Sequence, residues 1–236
     1  MIMLPETARL RFLPVSNQQP VCGCDGMGWL WIEGRGVKEC RCRLEEKTAR
    51  KLGRIPIEYE CLRLDEIKPD IERHPKQTLL WQTIRARPDH CYLICGRGGA
   101  GKSAVMWTLY RRAVEQGRPA VAMSLAELVE DYKHAEISRF EDEYVPQLAL
   151  ATLKTKSERW FIGIDDFHVG RATRFAGEMI YRLMDVAYSY RHQLVVTSQL
   201  DKRKLGQHWE EAGEGYGGAI MRRVLEIEGN TYLTMF

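Results

Sequence analysis

One run constrains this chain more than any other: Gly96-Arg97-Gly98-Gly99-Ala100-Gly101-Lys102-Ser103, a complete G-x-x-x-x-G-K-[ST]. Glycines let the backbone curl until successive N–H groups point at one centre, a cradle for phosphate oxygens. Lys102 then reaches the β- and γ-phosphates of a nucleotide, and the Ser103 hydroxyl is a ligand for Mg²⁺. The helix starting here adds its positive dipole end. Context agrees with the motif. CYLIC, ending at Cys95, is a short apolar strand running into the glycines, and SAVMWTLYRRAVEQG beyond it is a helix with a glycine stop. The run predicts bound ATP or GTP.

A second element is independent of the first. Phe161-Ile162-Gly163-Ile164-Asp165-Asp166 is an apolar strand ending in two acids. A phosphate-loop protein needs an acid at a strand's C-terminal end to hold Mg²⁺, and Asp165 suits that role. Asp166 is then placed to orient or deprotonate an attacking water. Gly96 to Ser103 with Asp165 form the expected nucleotide-binding set. Leu194-Val195-Val196-Thr197-Ser198-Gln199 is another apolar strand with a polar end, where Gln199 or Thr197 is placed to bind that water. Near the end, Ala219-Ile220-Met221-Arg222-Arg223-Val224-Leu225 reads as a helix with adjacent arginines. One of them is a candidate arginine finger reaching a neighbouring subunit's nucleotide.

These motifs sit on an alternation of short apolar runs and helices from Cys91 onward. AVAMSL is a strand, AELVEDYKHAE a helix, FAGEMIYRLMDVAYSYRH a long helix and QLVVTSQ a strand. Strands alternating with helices imply right-handed crossovers and a parallel sheet flanked by helices. Before Cys91, RLEEKTARKLG reads as a short helix, IPIEYECLRL as extended, and PKQTLLWQTIRAR as a helix. With 44% hydrophobic residues the chain of 236 is not wholly disordered. No stretch approaches the roughly 18 apolar residues of a membrane span, and the N-terminus has no signal-peptide core. A cytoplasmic protein with no membrane partner is the expectation. The net charge of +3 permits nucleic-acid contact without demonstrating it.

From IPIEYECLRL through GRGGAGKS, WFIGIDDFH, MIYRLMDVAYSYRHQLVVTSQL and AIMRRVLEI, roughly residues 50–228, the chain resembles the DnaC/DnaI-type helicase loaders of the AAA+ ATPase superfamily. It is also similar to their relatives, the IstB-type transposition helper ATPases. The resemblance implies a P-loop AAA+ core and ATP hydrolysis used as a switch. It also implies two partners: a hexameric DnaB-type replicative helicase, and the single-stranded DNA on which it is placed. Phage genomes carry such loaders too. Arg223 falls at the family's arginine-finger position, implying an oligomer when the helicase is bound. Together Lys102, Asp166, Gln199 and Arg223 form the expected catalytic set. Three departures stand out. Gln199 replaces the family's usual Asn, and Ala187-Tyr188 replaces an Arg-Tyr. Only thirteen residues follow Arg223, too few for a helical lid domain, so no sensor-2 arginine is assigned.

The seven cysteines divide unevenly. Cys22-x-Cys24 and Cys40-x-Cys42 bring four thiols into one Gly-rich stretch, which suits tetrahedral Zn²⁺ with four soft ligands. Free thiols, or an iron–sulfur cluster, are the alternatives. Metal binding would supply most of the folding energy of so small a stretch. Cys61, Cys91 and Cys95 lie in apolar runs and are expected to be packed. Between the pairs, Trp29, Leu30, Trp31 and Ile32 are expected to form the module's own small core, the alternative being an exposed docking ridge. The resemblance implies that such a zinc module docks on the helicase. The organisation expected is a module over residues 1–45, a linker near 43–55, and an ATPase domain over 55–236. Candidate DNA contacts are Arg171, Arg174, the Lys202-Arg203-Lys204 run, and Arg111-Arg112. Two competing functions remain open. One is a transposition helper acting on duplex DNA, and the other is a metabolic P-loop kinase, for which no acceptor pocket is evident.

Overall fold

Strand pairing divides the chain. In the computed structural model, residues 22–24, 27–70, 72, 75–137, 153–154, 158–227 and 230–235 are described, so the first 21 residues of the expected N-terminal module lie outside them. Two units emerge, Met1–Pro56 and Ile57–Phe236.

In the first unit, β1 (Trp29–Ile32) and β2 (Gly36–Glu39) form an antiparallel hairpin, with Trp29 opposite Glu39 and Trp31 opposite Val37. Helix α1 (Arg41–Leu52) follows at once, with Cys40 as its extended N-cap. Its sequence is rich in strong helix formers. Arg41–Glu45 and Arg50–Glu46 pairs at 2.6 and 3.6 Å add i,i+4 support. The short helix expected over RLEEKTARKLG is therefore present, and it fills most of the stretch expected to join the two regions. The tryptophans also depart from expectation. Trp29 and Trp31 are 41% and 76% exposed, whereas Leu30 and Ile32 are half-buried. Side chains alternate across a strand, so a hairpin this small buries one face, and the smaller aliphatic pair takes it.

The second unit opens with a 3₁₀ turn, Ile57–Tyr59, where an extended segment was expected. Glu60 N–H donates to Ile57 O at 3.3 Å and Leu62 N–H to Tyr59 O at 3.1 Å, so local turns satisfy the backbone without a neighbouring strand. Cys61 is consequently exposed, contrary to its expected packing, whereas Cys91 and Cys95 are buried. Then come α2 (Gln77–Ala86), β3 (Tyr92–Gly96), α3 (Lys102–Glu115), β4 (Ala120–Ser124) and α4 (Leu125–Ile137). After them follow β5 (Phe161–Asp165), α5 (Arg174–Ser189), β6 (Gln193–Ser198), α6 (Lys202–Glu210), α7 (Tyr216–Glu226) and β7 (Thr231–Met235).

The five strands of this unit are all parallel, in the order β4-β5-β6-β3-β7. Alternation assigns the two faces. Leu93, Cys95, Ile162, Ile164, Leu194 and Val196 join the side chains of α4, α5, α6 and α7 in one core. On the opposite face α3 packs so closely that Tyr110 meets Phe161 edge-on, ring centroids 6.1 Å apart. The result is a three-layer α/β sandwich, and both β3 and β6 are buried along their whole length. Among the described residues no helix is long and apolar enough to cross a membrane.

Candidate functional site

The C-terminal ends of β3, β5 and β6 lie side by side, and the motif residues stand there. Gly96 ends β3 beside β7. A Cβ on it would come within 2.3 Å of Met235 Cβ and 3.0 Å of Met235 Cα, so only glycine allows the two strands to pair at this point. Gly101 caps α3 with φ +87°, a left-handed conformation that favours glycine. Arg97, Gly98 and Gly99 are exposed between them, leaving the loop open to a ligand. Lys102 is buried to 5% exposure, and its Nζ donates to Arg97 O at 2.9 Å, bridging the loop's own ends.

Strand β6 separates the loop strand from the acid strand. Its Thr197 hydroxyl bonds to Asp165 and accepts from the Asp166 N–H at 3.0 Å. From the other side, Ser103 Oγ donates to Asp165 Oδ1 at 3.0 Å. A hydroxyl and a carboxylate oxygen thus converge, a hard-oxygen pair of the kind Mg²⁺ takes, and Asp165 and Ser103 fit that ion. Burial pushes the Asp165 carboxyl up, an effect its bonds to Thr197 and Ser103 oppose. Burial likewise pushes the Lys102 ammonium down, while Asp166 and Asp165 pull it back up. Asp166 has φ +51°, rare for a residue with a side chain, so the acid pair stores local strain at the site. Gln199 is exposed, and its N–H donates to His168 Nδ1 at 3.3 Å. Thr197, not Gln199, touches the acids.

Two residues that the sequence did not single out belong to this site. Tyr59, on the 3₁₀ turn, lies beside the Ser103 side chain, and burial raises its phenol pKa. Gln77, 7% exposed, braces the loop from behind. Its Nε2 donates to Ala100 O at 3.0 Å while its Oε1 accepts from Asp70 N at 2.8 Å.

No protein-family model and no curated relative matches this sequence. Solved structures do match it. One titled "Crystal Structure of the DnaI" aligns with TM-score 0.57 at 14% identity, covering 79% of this chain and 97% of that one. The DnaC helicase loader aligns with TM-score 0.55 at 17% identity, covering 77% of this chain and all (100%) of the other. AMPPCP-bound DnaA from Aquifex aeolicus gives 0.54 at 14% identity, covering 78% of this chain and 51% of DnaA. The chain therefore spans about half of that DnaA structure's length. At these identities the likeness concerns the fold. It is their P-loop α/β fold that this chain shares.

Within this core, Arg223 does not join the loop residues. Its Nε pairs with Asp185 Oδ1 at 3.0 Å, and its guanidinium lies 4.8 Å from the Tyr188 ring, both on α5. Arg222 is exposed. Arg111 is removed from the candidate DNA contacts, because it is 5% exposed and bonded to Glu60 O. Arg112 pairs with Asp89 at 3.9 Å, whereas Arg171, Arg174, Lys202, Arg203 and Lys204 are exposed.

The four N-terminal thiols form the other site. All four Sγ atoms of Cys22, Cys24, Cys40 and Cys42 lie within 4.8 Å of one another. Cys22 and Cys24 are 3.1 Å apart and Cys24 and Cys42 3.4 Å, too far for disulfides. A tetrahedral Zn–S centre has sulfurs about 3.8 Å apart, given bonds of roughly 2.3 Å, and the cluster fits it with little adjustment. Sharing of S–H hydrogen bonds lowers the Cys24 thiol to about 6 and raises Cys42 to about 12. Four thiolates this close repel one another, and a cation is needed to hold them together.

Proposed function

We propose that this chain is a replication-initiation ATPase that loads a hexameric DnaB-type helicase onto single-stranded DNA. The observation that carries it is the meeting of Lys102, Ser103, Asp165, Asp166 and Thr197 at adjacent strand ends, in a fold shared with a DnaC helicase loader, DnaI and DnaA. Gly96 to Ser103 hold the triphosphate of ATP through backbone N–H groups, and Lys102 exchanges its bond to Arg97 O for β- and γ-phosphate oxygens. Ser103 and Asp165 would hold Mg²⁺, which when bound would neutralise charge developing on the phosphates. Asp166 accepts the proton of the attacking water. Thr197 keeps the acid pair in register, and Gln199 follows the γ-phosphate from the loop after β6.

Arg223 acts in trans in an assembled oligomer, and its tie to Asp185 and Tyr188 presents it from a fixed base on α5. The N-terminal module holds zinc through Cys22, Cys24, Cys40 and Cys42 and is the docking element for the helicase. Nucleotide exchange and hydrolysis then switch the protein between a DNA- and helicase-gripping state and a released one.

Lys102→Ala is expected to abolish ATP binding. Asp166→Asn is expected to bind ATP normally and to hydrolyse it at least about a hundredfold more slowly, the scale of a lost general base. Both are read by nucleotide titration and phosphate release. Helicase loading is tested with a DnaB-type hexamer on single-stranded DNA with and without the protein. No complex and no change in loading would sink it. Filament growth on duplex DNA with no helicase contact would replace it with the transposition-helper function.

A further inference from the structure

The N-terminal hairpin presents a surface that the ATPase chemistry does not use. Cross-strand partners share a face, so Trp29, Trp31 and Val37 lie on one side of the hairpin, opposite the Leu30 and Lys38 side. Trp31 is 76%, Val37 61% and neighbouring Met27 72% exposed. Two indoles and an aliphatic pair left in water in so small a unit mark an interaction site.

Charge decides what kind of partner it takes. Residues 22–56 carry eight basic and five acidic side chains, a net +3 equal to that of the whole chain, so all of the excess positive charge is concentrated here. It also gathers beside the aromatics. The Arg43 guanidinium stacks 4.3 Å from the Trp29 ring centroid. Arg43, Lys47 and Arg50 line an open depression of about 340 Å³ with Met27, Gly28, Cys42 and Glu46, and Glu39, the cross-strand partner of Trp29, pairs with both Arg43 and Lys47, so three cations meet two acids and an excess of positive charge remains. Arg35, in the hairpin turn, is exposed.

A row of exposed rings next to a basic hollow is the chemistry that recognises single-stranded nucleic acid: bases stack on aromatic faces while cations follow the phosphates. Duplex DNA offers no unstacked bases to such a face. An acidic protein surface would suit the cations but would leave the two flat indoles without planar partners. We infer that the hairpin face of the cysteine module binds single-stranded DNA, with Trp31 and Trp29 stacking on bases and the Arg43–Lys47–Arg50 hollow taking a phosphate. Helicase docking then falls to the remainder of the module, and DNA capture on the hairpin needs no nucleotide.

The test uses the full-length protein, nucleotide-free, with a fluorescent oligothymidylate followed by anisotropy, and a duplex of equal length as comparison. Trp31→Ala and the double variant Lys47→Glu/Arg50→Glu change exposed residues, so the folding of the module is checked by bound metal per chain and by far-ultraviolet circular dichroism, both expected to be unchanged. Each is expected to weaken oligothymidylate binding about tenfold, the effect of losing one stacked base. The charge-reversal variant is also expected to flatten the salt dependence. Wild-type affinity in both variants would overturn the inference. So would loss of helicase binding in Trp31→Ala with DNA binding intact, which would make the face a protein dock. DNA binding that appears only with ATP and ignores Trp31 would also overturn it while leaving the loader function standing. Trp31-dependent DNA binding without any helicase contact would support the hairpin site and sink the loader function instead.

Discussion

His192 is completely buried and works as a neutral ring. Its Nε2 lies 2.7 Å from Leu153 O, an acceptor, so that nitrogen carries the proton, and its Nδ1 accepts from the Trp160 N–H at 3.3 Å. Burial lowers its pKa from 6.5. The unfolded chain therefore takes up a proton, as pH falls through about 6.5, that the folded chain refuses. Stability is full above that pH, declines below it by up to about 1.4 kcal/mol per pH unit, and levels off at the lowered folded value. His168 is lowered by burial too and adds to the same slope. Denaturant midpoints at pH 7.5 and 5.5 should thus fall apart more in the wild type than in His192→Gln. Equal separations would show that the buried ring does not couple to pH. Such residues were poorly legible in the sequence. Lys102, Ser103 and Asp165 announced themselves because their chemistry demands fixed spacing along the chain. Tyr59 and Gln77 serve the same site through contacts 44 and 23 residues away in sequence, to Ser103 and Ala100, and no spacing rule marks them.

At the scale of elements, periodicity found whatever was apolar and continuous. The strands β3, β4, β5 and β6 and the helices α3, α4 and α5 were all visible. Helix α6 was not, because KRKLGQHWE has only Leu205 and Trp209 on its buried side. Its one local signal is Asp201, an N-cap accepting from Lys204 N at 2.9 Å. Strand β7 was missed for another reason. Three half-buried residues, an exposed Thr234 and a buried Met235 become a strand only by pairing with β3, from Tyr92↔Thr231 to Gly96↔Met235, a partnership of high sequence separation. That pairing depends on Gly96. Gly96→Ala forces its methyl into Met235 and should cost about 1–3 kcal/mol by overpacking, read by thermal unfolding. Gln77→Leu keeps the volume but removes the hydrogen bonds with Ala100 O and Asp70 N. It should destabilise by roughly 0.5–1.5 kcal/mol per lost bond and weaken ATP binding as the loop loses its brace. Unchanged ATP affinity in a folded Gln77→Leu protein would reduce that brace to a packing contact.

Across the whole molecule, the two units are held by different forces. The second buries Phe161, Phe167, Trp209 and dozens of aliphatic groups around its sheet, each large side chain contributing roughly 1.5–3 kcal/mol. Among the described residues of the first, the buried apolar side chains are Cys24, Cys40 and Ile55, and the tryptophans face water. Such a core cannot offset the entropy of ordering a hairpin and a helix without a cross-link. Four thiols within 4.8 Å supply one if a metal joins them. The purified protein should therefore carry one metal per chain, identified as zinc or iron by elemental analysis and by visible absorbance. Stripping it with a mercurial reagent and a chelator should melt the hairpin and α1, seen as a small loss of helical signal in far-ultraviolet circular dichroism. The second unit should keep its melting temperature and bind ATP within about twofold of the untreated protein, since nothing in its core involves the thiols. Cys24→Ser should reproduce the stripped state. A protein that contains no metal, or whose ATP binding collapses when the metal leaves, would show that the thiols do not play this part.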